Sequence, residues 1–338
     1  MIKEARHVVH QPCPEGNRSA RRLCGLSIIL ADAGDAADLV FPKRAVDVVV
    51  PISAGGAGDT WVRTIMPYVS KKWGVPINVV NKPGGSGVIG VVAVLSSAAD
   101  GYTVAYDGHI IPAVTAVQAD CPFKWDDPTP IAKIASAPLA FAVPADSPWR
   151  TLKEALEDIR KNPEVIKAGV GGVSMPAVFA LAKLFDSVGI DFKRMNRVIF
   201  DGSAPTMAAL AGKHVMLSSQ PLIDAIAMLK GGKIRVLAIS SSKRSPNLPD
   251  IPTGKEQGFP AYDRQTFGGI AGPANLPPAI VKVWADGLKE ALQDRSIVEK
   301  LEARETIIDF LGPEEHKKFL ETQYKENLAI AERLGLRK

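Results

Sequence analysis

One pattern recurs along this chain and narrows its fold more than any other. A short run of β-branched residues leads into a turn of small residues, and a helical pattern follows. The turns stand at Gly55, Gly85, Gly171 and Gly202. The first copy is the clearest. Val46-Asp47-Val48-Val49-Val50 is too short for a helix and reads as a buried strand. Thr60 to Lys72 then carries Trp61, Ile65, Tyr68 and Val69 at helical spacing. Between them lies Pro51-Ile52-Ser53-Ala54-Gly55-Gly56-Ala57-Gly58-Asp59, which contains no Lys or Arg. Glycines let the backbone approach a bound group and turn its N–H groups outward, and the helix start adds partial positive charge. Such a turn suits an anionic oxygen held by neutral donors. The same residues also describe a tight strand-to-helix connection with Asp59 as its cap.

The alternation continues. Strands are expected at 77–80, 102–106, 165–170, 197–200, 214–217, 234–240 and 267–271, with one or two more within 132–143. Helices are expected at 88–98, 152–161, 177–188, 206–210, 223–229, 277–292 and 314–334. Ser218-Ser219-Gln220 reads as the polar exit of the 214–217 strand. Residues 243–263 are rich in loop signals, with four prolines. Strand and helix in alternation predict mainly parallel α/β sheets, whose ligands bind beyond the carboxyl ends of the strands. Two such sheets facing one another form a cleft.

At 338 residues the chain is long enough for two domains or one large one. The net charge of +5 is modest, and the basic clusters Arg18/Arg21/Arg22 and Lys243-Arg244 lack interleaved aromatics, so nucleic-acid binding has no support. No run reaches the ~18 apolar residues of a membrane span. Residues 1–42 differ from the rest: a polar piece, then Arg18, Arg21 and Arg22, the apolar run Leu23 to Leu30, and Ala31-Asp32-Ala33. That order matches an imperfect secretory signal and predicts export. Its removal takes Cys13 and Cys24 with it and leaves Cys121 as a single thiol, which gives neither a disulfide framework nor a metal cluster.

Gly85-Ser86-Gly87-Val88-Ile89-Gly90 is a literal G-x-G-x-x-G, and Asp107 ends a strand seventeen residues later. That is the layout of a dinucleotide site, so an NAD(P)- or flavin-dependent oxidoreductase is the alternative reading. The intervening Asn81-Lys82-Pro83-Gly84 lengthens the turn and argues against it. No G-x-S-x-G, H-E-x-x-H, C-x-x-C or phosphate-binding P-loop pattern is present. His316 falls on a helix face expected to be solvated, and His214 starts a strand. His109, in the exit turn Asp107-Gly108-His109, is a candidate polar contact. Asp59, Asp107 and Asp201 read as caps or turn formers rather than as an acid–base pair. A site of hydroxyls and backbone amides binds well and catalyses poorly.

Four stretches together resemble the periplasmic solute receptors of tripartite tricarboxylate transporters, the Bug-type receptors. They are Val48-Val49-Val50-Pro51 running into Gly55-Gly56-Ala57-Gly58-Asp59; Val80 to Gly87 with Gly90; Ala99-Asp100-Gly101-Tyr102-Thr103; and Gly202-Ser203-Ala204-Pro205 followed by 232–238 and 243–253. The resemblance implies a two-domain Venus-flytrap α/β architecture, with residues 43–141 plus 262–338 as one domain and 142–261 as the other. It implies a periplasmic receptor rather than an enzyme, without cofactor or metal. Its partners would be a small organic acid and the large and small membrane subunits of a transporter. Carried over by position, the ligand carboxylate would meet Ser53, Ala54, Gly55 and Gly56, with Gly108 and His109 shaping the same wall. Gly172, Val173, Ser174, Met175, Gly202, Ser203, Ser218 and Ser219 would form the facing wall. Phe179 stands near a position where the family usually has His, and Ser219 where an acid is common. The expected ligand is therefore a carboxylate with an apolar or aromatic body, ahead of citrate.

Overall fold

Two clusters of parallel strands flank a pair of long strands that run antiparallel to one another. The computed structural model describes residues 41–172 and 174–337, so the signal-like segment lies outside the described residues save for its last two positions, and Val173 lies outside them too. The elements are, in order, β1 (Val46–Val50), α1 (Ala57–Trp73), β2 (Ile77–Asn81), α2 (Val88–Leu95), β3 (Thr103–Tyr106), α3 (Ile110–Val117), β4 (Thr129–Pro144), α4 (Leu152–Lys161), β5 (Lys167–Val170), α5 (Pro176–Ser187), β6 (Asn196–Ile199), α6 (Ser203–Ala211), β7 (Leu217–Pro221), α7 (Leu222–Lys230), β8 (Ile234–Ile239), β9 (Gln265–Gly272), α8 (Pro278–Ala291), α9 (Arg295–Glu302) and α10 (Pro313–Arg333).

β1 pairs in parallel with β2 and β3, and β5 pairs in parallel with β6 and β7. β9 lies antiparallel to β3 and to the first part of β4. The last part of β4 lies antiparallel to β7 and β8. The sheets are thus mixed rather than mainly parallel. β4 and β9 run through the join, and a strand returning beside its neighbour must pair antiparallel. The expected one or two strands of 132–143 are one strand of 16 residues, whose first half belongs to one sheet and second half to the other.

Each sheet has its own core. Trp61, Ile65 and Trp284 pack with Val46, Val48 and Val50 on the first. Phe141, Leu181 and Phe185 pack with Leu139 and Val143 on one face of the second, and Met207 and Leu210 with Ala140 and Ala142 on the other. Four expectations need correction. β7 spans Leu217–Pro221, so Ser218, Ser219 and Gln220 are the strand and not its exit. Helices α3 and α9 were not expected. His214 is exposed in the turn before β7. His316 is fully buried: His316, Leu320, Asn327 and Ala331 form the inward face of α10. The final glycine of the G-x-G-x-x-G has a packing role. A Cβ on Gly90 would stand 2.6 Å from Pro51 Cβ and 2.8 Å from the Lys82 carbonyl, so only glycine lets α2 seat against the exit of β1.

Candidate ligand-binding site

The turn after β1 is locked from within. The Asp59 carboxylate accepts from the Gly55 amide at 2.9 Å, from Arg63 Nε at 2.9 Å and from Asn81 Nδ2 at 2.9 Å. The Gly55 amide is therefore spent on Asp59, and Asp59 sits in the first turn of α1 rather than at its cap. Gly55 adopts φ +87°, which a residue with a Cβ reaches only under strain. The donors left to a ligand are those at the helix start, where Ala57, Gly58 and Asp59 have no intrahelical acceptor; the first bond of the helix runs from Thr60 N to Gly56 O.

The turn before α6 meets this one directly. Ser53 Oγ donates to the Asp201 carbonyl at 3.0 Å. A Cβ on Gly56 would stand 3.5 Å from Ser203 Oγ, and one on Gly202 would stand 3.8 Å from Ser53 Oγ. The turn before α5 also faces the first sheet, since a Cβ on Gly172 would stand 3.6 Å from Ser86 Oγ. Ser174 and Met175, on the same turn, are buried. Ala54 is exposed at the turn's tip.

Gly108 and His109 are buried at the start of α3. His109 Nδ1 bonds Thr266 Oγ1 at 3.1 Å, while Nε2 has no partner. Burial lowers the proton affinity of this imidazole to about 4, against a smaller raising effect of the Phe267 backbone, so the ring is neutral. It lines a chamber of about 10 Å³ with Pro176, Phe179, Arg264, Gln323 and Asn327. That volume suits roughly one water. The Arg264 guanidinium lies 5.6 Å from the Phe179 ring centroid and donates to Asn327 Oδ1 at 2.7 Å.

Ser218 and Ser219 are placed elsewhere. Ser218 Oγ donates to the Gly169 carbonyl at 2.8 Å, and Ser219 Oγ bonds the buried Tyr262 hydroxyl at 2.8 Å. Both hydroxyls are committed inside the second sheet. The residue that sequence reasoning missed is Asp224, in the first turn of α7. Its carboxylate accepts from Ser203 Oγ. It occupies the position after β7 that corresponds to the other strand-to-helix turns. Ending β7 at Leu217 moved that turn four residues too early and hid it.

Two sheets sharing long strands, with strand-to-helix turns brought face to face, define a solute-binding protein of the periplasmic type. A family model described as tripartite tricarboxylate transporter family receptor matches residues 62–336. The chain belongs to that family. The UPF0065 protein in the gbd 5' region of Cupriavidus necator is 31% identical over 301 residues, 88% of this chain and 90% of the relative. Protein BugT of Bordetella pertussis is 26% identical, covering 93% of this chain and 98% of its own. A solved structure described as a periplasmic transporter superposes with a TM-score of 0.83 at 26% identity, covering 88% of this chain and 99% of that one. R. palustris Rpa4515 with adipate gives a TM-score of 0.82 at 26% identity, over 87% and 98%. The chain is thus a receptor of the Bug type, not an enzyme, and the dinucleotide reading of residues 85–90 falls with that. Among the described residues no helix is long and apolar enough to cross a membrane.

Proposed function

We propose that this chain captures a small carboxylate in the periplasm and delivers it to the large and small membrane subunits of a tripartite transporter. Residues 43–141 with 262–338 act as one lobe and 142–261 as the other, closing about β4 and β9. The observation that carries this reading is the approach of Ser53 and Gly56 on one sheet to Asp201, Gly202 and Ser203 on the other. Small residues there leave main-chain donors and hydroxyls as the recognition surface, and closure brings them together. Adipate, named with a structural relative, is an acid with an apolar body. The neutral His109 beside Phe179 and Phe267 suits such a body better than a third carboxylate.

Calorimetric titration with adipate, malate, benzoate and citrate tests this. Adipate or benzoate is expected to bind with a dissociation constant at or below the order of 10 μM, and citrate more weakly. Binding of citrate alone would overturn the ligand class. Binding of none of the four, with no thermal stabilisation by any of them, would count against the carboxylate reading itself.

A further inference from the structure

The turns that face one another leave little room for the body of an acid, but a crevice beside them has that room. We propose that the cavity between the end of α3 and the edge strand β6 receives the chain of a long dicarboxylate, whose far carboxylate pairs with Arg197. This rests on the carboxylate-receptor reading above and names the length class of the acid.

The cavity measures about 510 Å³, within the ordinary range of small-molecule sites. Its apolar walls come from both sides of the join. Val117 ends α3, which follows β3 of the first sheet, and Val170, Val178, Met195 and Ile199 belong to the second. The chamber beside His109, at about 10 Å³, has room for the near end of a ligand body at most.

Two connections tie the crevice to the receptor site. Helix α3 starts beside His109 and reaches Val117 eight residues later, about 12 Å along its axis. Val170 and Ile199 are the last paired residues of β5 and β6. The turns that follow them carry Gly172 and Gly202, and Gly202 faces Ser53. Ile199 is 59% exposed, a large apolar side chain left open at the end of its strand. Such surface in a crevice with polar groups on its rim marks a binding groove.

The charge lies further along the same strand. Side chains two residues apart share a face of a strand, so Arg197 and Ile199 point the same way. Val198 points the other way, against the core that holds Met207 and Leu210. The Arg197 guanidinium lies 5.0 Å from the Phe192 ring centroid and lines the cavity. Among the described residues it has no ion-pair or hydrogen-bond partner, whereas the nearby Arg194 holds Glu164. A half-buried guanidinium without a carboxylate, at the far end of an apolar crevice, complements a carboxylate at the far end of an apolar chain. The two strand residues from Ile199 to Arg197 span roughly 6.6 Å, close to the whole carbon chain of adipate. An acid already seated at the Gly202 turn therefore needs a longer chain to cross Ile199 and meet Arg197.

Calorimetric titration of the wild type, Arg197→Gln and Ile199→Asp with adipate, sebacate and decanoate tests this. The wild type is expected to bind sebacate on the order of tenfold more tightly than adipate, because the added methylenes leave water. It is also expected to prefer sebacate to decanoate, which has the chain without the second carboxylate. Arg197→Gln is expected to lower sebacate to the level of decanoate, a loss on the order of tenfold, and Arg197→Lys to restore part of it. Ile199→Asp is expected to weaken both ten-carbon acids more than adipate. Ile199 is exposed and Arg197 half-buried, so thermal melts of the variants are expected to stay near that of the wild type. Sebacate no tighter than adipate would overturn the crevice, as would sebacate and decanoate falling by one factor, or not at all, in Arg197→Gln. The receptor reading stands in those cases, because the acids still bind. Binding of none of the three acids by the wild type would overturn the reading and the crevice with it.

Discussion

Gly56 is the residue on which the approach of the two sheets turns. Its φ of −78° and ψ of 171° are open to any residue, so a side chain there costs nothing in backbone strain. What it costs is space. A first carbon would meet Ser203 Oγ at 3.5 Å and Ile52 Cδ1 at 3.7 Å, both ordinary contacts. A second layer of methyl groups would reach into the Ser203 turn. Gly56→Val is therefore expected to abolish binding of adipate while shifting the melting temperature by only about 2–4 °C. Calorimetry and a thermal melt on the same sample check both halves, and an unchanged dissociation constant would remove this turn from the site. The glycines were legible because closeness has a compositional signature. Asp224 was not, because an Asp in a first helical turn looks like any other, and only the fold brings Ser203 to it.

At the scale of elements, periodic segments were readable and polar strands were not. β1 announced itself through four valines in five positions. β7 reads Leu-Ser-Ser-Gln-Pro, a poor strand by composition, yet it is fully buried between β4 and β5. Its hydroxyls are satisfied by Gly169 and Tyr262, partners 43 residues or more away in sequence, so nothing local signals them. His316 was misread for a similar reason: α10 is polar on average, and the core it faces includes polar groups such as Asp107. Local capping is the opposite case. Thr151 opens α4 with a capping box, its Oγ1 accepting from the Glu154 amide at 3.2 Å while the Glu154 carboxylate accepts from the Thr151 amide at 3.3 Å. The helix buries Leu152, Ala155, Leu156 and Ile159, so fraying its first turn exposes part of that face. Thr151→Ala is expected to destabilise the protein by about 1 kcal/mol with ligand affinity unchanged. Urea unfolding and calorimetry check this; a change in affinity instead would link α4 to the crevice.

Across the whole molecule, groups whose proton affinity the fold displaces set the response to acid, carboxylates against histidines. Burial raises the proton affinity of Asp224 to about 7 and that of Asp107 well above the usual carboxylate range. Burial lowers His109 to about 4 and, helped by the charge of Lys133, His316 to about 3. Between about pH 4.5 and 6.3 the unfolded chain holds protons on the two histidines, and the folded chain holds one on Asp224 instead. Removing Asp224 or His316 changes the slope of stability with pH in a known direction. In Asp224→Asn the folded state binds one proton fewer than that of the wild type, so stability rises with pH more steeply, by at most about 1.4 kcal/mol per unit, and the variant is more acid-sensitive. In His316→Gln the unfolded state is the one short of a proton, so stability falls with pH relative to the wild type through the same window. Urea unfolding of the two variants at intervals from about pH 4.5 to 6.3 is expected to give slopes of opposite sign relative to the wild type. Parallel slopes in all three proteins would mean that Asp224 and His316 are ionised in the folded state. The Asp224 carboxylate would then be held as a full charge beside the Ser203 hydroxyl.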